Sequence, residues 1–399
     1  MADTAGRSSP LEILAIFLRL GLTSFGGPVA HLAYFRNEFI DKRQWLDEAG
    51  FADLLALSQF LPGPSSSEFG FALGLLRAGL PGALCAWLGF TLPSAVIMGA
   101  LGFGVARFGD LAGAPWLHGL MLVACAVVAL AVWQMARRLA NDVPRGAVAF
   151  AAAALTLALP ATWGQLAAIA FGAVAGRLFL PGDARDAALP FEPRVPRALA
   201  MAALAAFAVL LTLPPVVAAA SGSGALQLFD GFYRSGALVF GGGHVLLPLL
   251  DAVVVPKGWI SQDTFLAGYG AAQALPGPLF TFAAFLGVSM QVPPGGLLGG
   301  ILALIAIFLP GSLLIVGTLP FWSALRANRA MQSTLKGVNA AVVGLLLAAL
   351  YRPVFVSAVF SWRDLVFAIA ALILLRVRVP PWAVVILGAL GSEALARLV

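Results

Sequence analysis

Long apolar runs, interrupted by short polar segments, set the pattern of this chain. A helix needs about 20 apolar residues to cross a bilayer. On that measure the pattern predicts thirteen spans: 10–35, 51–76, 80–106, 116–136, 145–160, 162–180, 197–219, 226–250, 264–290, 296–320, 333–351, 359–376 and 380–397. The run at 145–160 is the shortest of them.

One run is broken from within. Ala56–Gly74 reads ALSQFLPGPSSSEFGFALG, with Pro62-Gly63-Pro64 between two apolar segments. Each proline removes a backbone donor and clashes one turn back, so no continuous helix passes through both. Two half-helices therefore meet here, the second starting near Ser65. Its first N–H groups are unpaired and carry the positive end of the helix dipole, and Ser65, Ser66 and Ser67 add hydroxyls. Such a break is tolerated at membrane depth only where backbone is buried in protein or lines a cavity, and the ligand that suits it is an anion.

The break recurs. Gln273-Ala-Leu-Pro-Gly-Pro matches Gln59-Phe-Leu-Pro-Gly-Pro at a shift of 214 residues, so Pro276, Gly277 and Pro278 repeat the motif. Phe232-Tyr-Arg-Ser-Gly-Ala-Leu-Val-Phe-Gly-Gly matches Phe17-Leu-Arg-Leu-Gly-Leu-Thr-Ser-Phe-Gly-Gly at a shift of 215, and Trp45 matches Trp259. The expected fold is an all-α polytopic membrane protein with two repeats, 11–180 and 226–397, of about six spans each. A linker and one linking span fill 181–225. An odd number of crossings per shift inverts the second repeat, and paired broken or re-entrant segments in two halves point to a transporter site.

Composition narrows the class. The chain is 61% hydrophobic and 11% charged, which excludes a soluble domain of any size. Residues 1–9 are short and polar, and no cleavable signal is expected. The net charge of +6 comes from basic residues dispersed between spans, which argues for membrane orientation and against nucleic acid. With alternating spans and a cytoplasmic N-terminus, fifteen Lys and Arg fall inside and seven outside, with loop 36–48 outside and the polar linker 181–197 inside. Cys85 and Cys125 read as buried free thiols, and no spacing suits a metal, cofactor or nucleotide. The tryptophans, Trp45, Trp163, Trp259 and Trp362 among them, fall near span ends as an interfacial belt would.

Few residues remain for chemistry. Arg19 and Arg234 share a repeat position, each seven residues before a Gly-Gly pair. An arginine at bilayer depth keeps its charge at a cost of several kcal/mol, so a pair at matched positions reads as two donors to a central anion. Snorkelling to a headgroup is the plainer alternative. Gly26-Gly27-Pro28 and Gly241-Gly242-Gly243 read as a second break, or else as close helix packing through small residues. His31 and His244 follow these breaks, as structural groups or proton relays. Glu68 lies in the first turn behind Pro64, where it complements the helix dipole as a cap, gates the site, or couples protons to transport. Its repeat equivalent is Phe282, so that role is one-sided.

With Arg-x-Gly-x-x-x-Phe-Gly-Gly at 19–27 and 234–242 and Leu-Pro-Gly-Pro at 61–64 and 275–278, the chain resembles the chromate ion transporter family in its long, two-halved form. The resemblance implies an inner-membrane exporter of chromate, with sulfate-type oxyanions as further substrates, and chromate resistance. It also implies that the Arg, Gly-Gly and Pro-Gly-Pro positions serve transport. Glu68 stands where similar sequences would carry Gln. Membrane potential, protons or both would drive export, and a homodimer is one available assembly. Two alternatives stay open. PGPSSSE resembles the PG-x-SRS motif of intramembrane undecaprenyl-pyrophosphate phosphatases, without its arginine or a carboxylate cluster. A general sulfate carrier of the same fold would differ only in substrate.

Overall fold

A computed structural model of the chain describes residues 8–107, 115–182 and 195–398. Most of the linker expected in the cytoplasm, residues 183–194, lies outside the described residues. The described residues are helical, with no strand among them. The first half holds α1 (Pro10–Thr23), α2 (Gly27–Arg36), α3 (Glu48–Phe60), α4 (Ser65–Arg107), α5 (Pro115–Leu139), α6 (Val143–Ala158) and α7 (Ala161–Phe179). The link is α8 (Arg197–Ser221). The second half holds α9 (Gly224–Ala237), α10 (Leu246–Val254), α11 (Gln262–Ala272), α12 (Phe282–Ser289), α13 (Gly296–Thr318), α14 (Trp322–Ala327), α15 (Arg329–Ala349), α16 (Val356–Ala358), α17 (Trp362–Arg376) and α18 (Pro381–Leu398).

Local sequence sets many of these boundaries. Ser9, Asp47, Asp142, Ser223, Ser261 and Asn328 each accept a hydrogen bond from a first-turn N–H, and Ser361 with Asp364 forms a full capping box. Gly79, at φ +66, ends the helical path inside α4 and separates a short first arm from a long second arm. Five helical segments are long and apolar enough to cross a membrane, α4, α5, α8, 296–327 and 329–358, with shorter apolar helices beside them.

The difference from thirteen spans has a structural cause. The run 10–35 is not one span. It stops at Ser24, turns through Gly26 and Gly27, and doubles back, so that Arg43 reaches Glu12 at 3.2 Å. Helix α1, about 21 Å long, is thus one arm of a hairpin. The run 51–76 is also a hairpin, of α3 and the short arm of α4. Arg77 at its far end donates to Ser8 at 3.1 Å and lies over the Trp45 ring. The loop 36–48, expected across the membrane from the N-terminus, lies beside it. In the second half, α9 with α10 and α11 with α12 fold back in the same way. The Gln291 N–H donates to the Trp259 carbonyl at 3.2 Å, and Gly224 abuts the Pro293 carbonyl. Trp259, read as a belt residue, is therefore buried.

The halves interlock. Helix α5 packs on α17 and α18, while its counterpart α15 packs on α6 and α7. Gly119 lies against Gly388 at the first crossing and Gly337 against Gly172 at the second. Small residues let helices approach closely where lipid gives no hydrophobic drive to association. Asp53 of α3 pairs with Arg326 of α14 across the halves, both side chains largely buried.

Candidate functional site

The two Pro-Gly-Pro loops sit at the junction of the halves and make the same bond in opposite directions. The Gly63 N–H donates to the Val239 carbonyl at 2.8 Å, and the Gly277 N–H donates to the Ser24 carbonyl at 3.0 Å. Val239 and Ser24 are repeat equivalents, the residues at which α9 and α1 give way to the Gly-Gly turns. The contact thus recurs with its partners exchanged between the halves.

Glycine is required here by conformation and, at the Pro-Gly-Pro loops, by space. Gly63 has φ +143 and Gly277 φ +87, a region that L side chains rarely adopt. A Cβ on Gly63 would strike the Glu68 carboxyl, and one on Gly277 would lie 2.9 Å from Ser94 Oγ and 3.1 Å from the Phe90 carbonyl oxygen. Gly26, Gly27, Gly241 and Gly242 also have positive φ. Nothing lies within 4 Å of a Cβ built on Gly27 or Gly242. Their role is the turn, and the close-packing alternative does not describe them.

A cavity of about 230 Å³ opens where one Pro-Gly-Pro helix meets the opposite Gly-Gly turn. Ser65 and Ser66 at the start of α4 line one wall, and Gly241, Gly242, Gly243 and His244 the other. Helix α5 supplies Gln134 and Arg138, α3 supplies Gln59, and α15 supplies Asn339. Arg138 donates to Gln59 Oε1 at 3.1 Å. The cavity thus gathers a cation, several amides and two hydroxyl residues at a helix start, where the first N–H groups lack intrahelical partners, with no acidic residue in its lining.

The sequence-predicted residues divide. Ser65, Ser66, Gly241, Gly242 and His244 come together at the cavity. Pro62, Gly63 and Pro64 hold the turn that starts its helix. The second start, Leu279–Thr281, does not line it: Leu279 packs toward Gly243, and Thr281 Oγ1 donates back to the Pro278 carbonyl. Pro276, Gly277, Pro278, Gly26 and Gly27 form the reciprocal junction instead. His31 is buried beside the cavity wall, Nδ1 sharing a hydrogen bond of 3.2 Å with Ser66 Oγ, while His244 Nδ1 bonds the Tyr269 hydroxyl at 2.9 Å.

Arg19 and Arg234, expected as donors to a central anion, do not line this cavity. Arg19 pairs with Glu38 at 2.5 Å, and Glu38 also takes Arg43 at 2.7 Å. Arg234 pairs with Asp230 one turn away. The matched positions reflect the repeat, but a carboxylate answers each charge. Glu68 is 3% exposed, and neither carboxyl oxygen has a hydrogen-bond partner. It fills the seam between Gly63 and Gly311. It lies in the first turn of α4, as the sequence places it, without a hydrogen bond to the first-turn N–H groups.

Arg138, Gln134 and Asn339 were not singled out from the sequence. Arg138 follows Arg137 at the end of an apolar run and reads as an orienting loop charge. Gln59 did carry a signal, because Gln273 repeats it.

The profile of the family described as "Chromate transporter" matches residues 11–177 and again 226–392. A chromate transport protein of Pseudomonas aeruginosa is 31% identical over 84% of this chain and 79% of its own length. One from Cupriavidus metallidurans is 29% identical over 91% of this chain and 86% of its own. A probable chromate transport protein of Synechococcus elongatus is 28% identical over 85% of this chain and 83% of its own. No solved structure matches the chain. With two profile matches that fill both halves, and with relatives aligned over most of both lengths, the chain belongs to the chromate transporter family and is a transport protein, not an enzyme.

Proposed function

We propose that this protein exports chromate from the cytoplasm as a secondary transporter, with the cavity between Ser65–Ser66 and Gly241–His244 as the oxyanion site. The observation that carries the reading is the donor set of that cavity. Ser65 and Ser66 at a helix start and the Arg138 side chain line it together, with no acidic residue in the lining. Chromate and sulfate are both tetrahedral dianions, so these donors would accept either.

The two halves act as inverted repeats in the membrane. Several contacts support this. The open ends of the first hairpins lie by Arg326, beyond the far end of α13, and Ser289 of the second pair lies by Gly102 on the far part of α4. Turning 10–35 into a hairpin moves Arg36, Lys42 and Arg43 to the arginine-rich face and sharpens the bias toward a cytoplasmic N-terminus. Only one of the two reciprocal junctions lines the cavity, as alternating access requires of a single state. In this scheme Arg19 and Arg234 brace the hairpin arms, and Glu68, an uncompensated carboxyl in the seam, is the coupling group. With the cell interior negative, potential alone favours dianion export by about 4.6 kcal/mol per 100 mV.

Uptake of labelled chromate into inverted membrane vesicles tests the reading. The expected result is uptake accelerated by an inside-positive potential and competed by sulfate. Uptake confined to right-side-out vesicles would reverse the direction, and uptake indifferent to potential in both would remove the electrical mechanism.

A further inference from the structure

Away from the central cavity, α5 and α17 enclose a second feature. Arg137 in the last turn of α5, Arg376 in the last turn of α17, and Arg378 just beyond it line a cavity of about 370 Å³. The guanidinium carbons of Arg137 and Arg376 each lie 5.9 Å from the centroid of one ring, Trp133. Among the described residues no acidic side chain lines this cavity. Arg378 has φ +68, the left-handed conformation that glycine or asparagine usually supplies at a helix end. A bulky residue held there carries strain of the kind that collects at functional positions. Cations at helix C-termini also answer the helix dipole, but two helix ends bring only about half a charge each against three full charges. The cavity keeps a net positive charge.

The same two helices continue the feature into the apolar layer. Along them lies a cavity of about 400 Å³ with almost wholly apolar walls, among them Ala126 and Ala129 of α5 and Leu365, Ala368 and Leu372 of α17. On α5 the wall residues run Ala126, Ala129, Trp133, Arg137, and on α17 Leu365, Ala368, Leu372, Arg376. That spacing of three and four keeps each set on one helix face. From Ala126 to Arg137 is about 17 Å, close to the roughly 15 Å depth of one leaflet.

We propose that the α5–α17 groove binds an anionic phospholipid, its phosphate at Arg137, Arg376 and Arg378 and an acyl chain along Ala126, Ala129 and Ala368. A lipid fits better than a small anion, because the cationic cavity and the apolar one follow each other along the same faces of α5 and α17. Basic pockets between helices at a membrane surface recognise headgroups in this way. Gln134 lines both this cavity and the central one, so the bound headgroup adjoins the turn that carries Arg138. The site does not depend on which oxyanion is transported.

The test uses the purified full-length protein in detergent. It is titrated with phosphatidylglycerol or phosphatidylcholine of matched acyl chains, and retained lipid is counted by native mass spectrometry. Phosphatidylglycerol should be retained at a concentration at least about tenfold lower. Each arginine near an anionic surface contributes about fivefold, so the triple variant Arg137→Ala/Arg376→Ala/Arg378→Ala should lose roughly a hundredfold and with it the preference. Ala129→Phe with Ala368→Phe should reduce retention of both lipids. Equal retention of phosphatidylglycerol by the wild type and the triple variant overturns the proposal. So does displacement of the lipid by millimolar inorganic phosphate or chromate, which would make this a free-oxyanion site. A dimer in light scattering that Ala129→Phe dissociates overturns it too, as the groove would then be a subunit interface. Trp133 gives a second reading should the triple variant not fold. Phosphatidylglycerol brominated on its acyl chain should quench the wild type more than Trp133→Phe, and equal quenching removes the lipid from this place.

Discussion

Replacing Gly277 with alanine probes the junction of the halves at its tightest point. Three costs combine. The backbone at φ +87 is left-handed, worth roughly 1–2 kcal/mol for an L residue. The new Cβ would sit 2.9 Å from Ser94 Oγ, 3.1 Å from the Phe90 carbonyl oxygen and 3.4 Å from that of Gly21. Two of these are backbone atoms in packed helices and cannot swing aside, so overpacking adds roughly 1–3 kcal/mol. Any shift that relieves it stretches the Gly277 N–H bond to Ser24, worth about 1 kcal/mol. The expected loss is roughly 3–6 kcal/mol in all. Gly63→Ala should cost less, because its obstacle is the far end of the Glu68 side chain. Gly222→Ala, with a left-handed backbone but open space around the Cβ, isolates the backbone cost at roughly 1–2 kcal/mol. Unfolding by SDS titration in mixed micelles would read these differences, with vesicle uptake measured in parallel. Gly277→Ala within about 1 kcal/mol of Gly222→Ala would refute the close approach. The loop would then be an ordinary turn.

Three further outcomes are expected. Arg138→Ala should raise the KM for chromate at least about tenfold, and Arg138→Lys should restore only part, since an ammonium does not replace a planar donor fork; unchanged KM in Arg138→Ala would move the anion elsewhere. Glu68→Gln should abolish the response of uptake to an imposed pH gradient and leave the response to potential, whereas a persisting pH response would clear Glu68 of coupling. Asp53→Asn strands Arg326 in a largely buried pair and should cost about 3 kcal/mol, with much of it recovered in Asp53→Asn/Arg326→Met; additive losses in the double variant would show that the pair does not act as a unit.

The sequence alone determined the class and the repeat. Apolar runs of bilayer length leave no alternative to membrane helices, because unpaired backbone is too costly in lipid. Two prolines around a glycine break a helix wherever they fall, so both Pro-Gly-Pro turns and the Gly-Gly turns were legible, with Ser65 as a helix start. Hydropathy could not distinguish a crossing from a return. The run 10–35 has the length of a span, and only tertiary contacts such as that of Arg43 with Glu12 show that it folds back as a hairpin. Partners were equally hidden. Arg19 and Arg234 have matched positions in the chain, but Glu38 and Asp230 answer them in space. Arg138 looks like a loop charge until α5 is seen to lie across the junction. Which residues share a cavity depends on how the two halves interlock, through Gly119 on Gly388 and Gly337 on Gly172. Those contacts join residues more than a hundred positions apart, a distance over which local propensity and period carry no information.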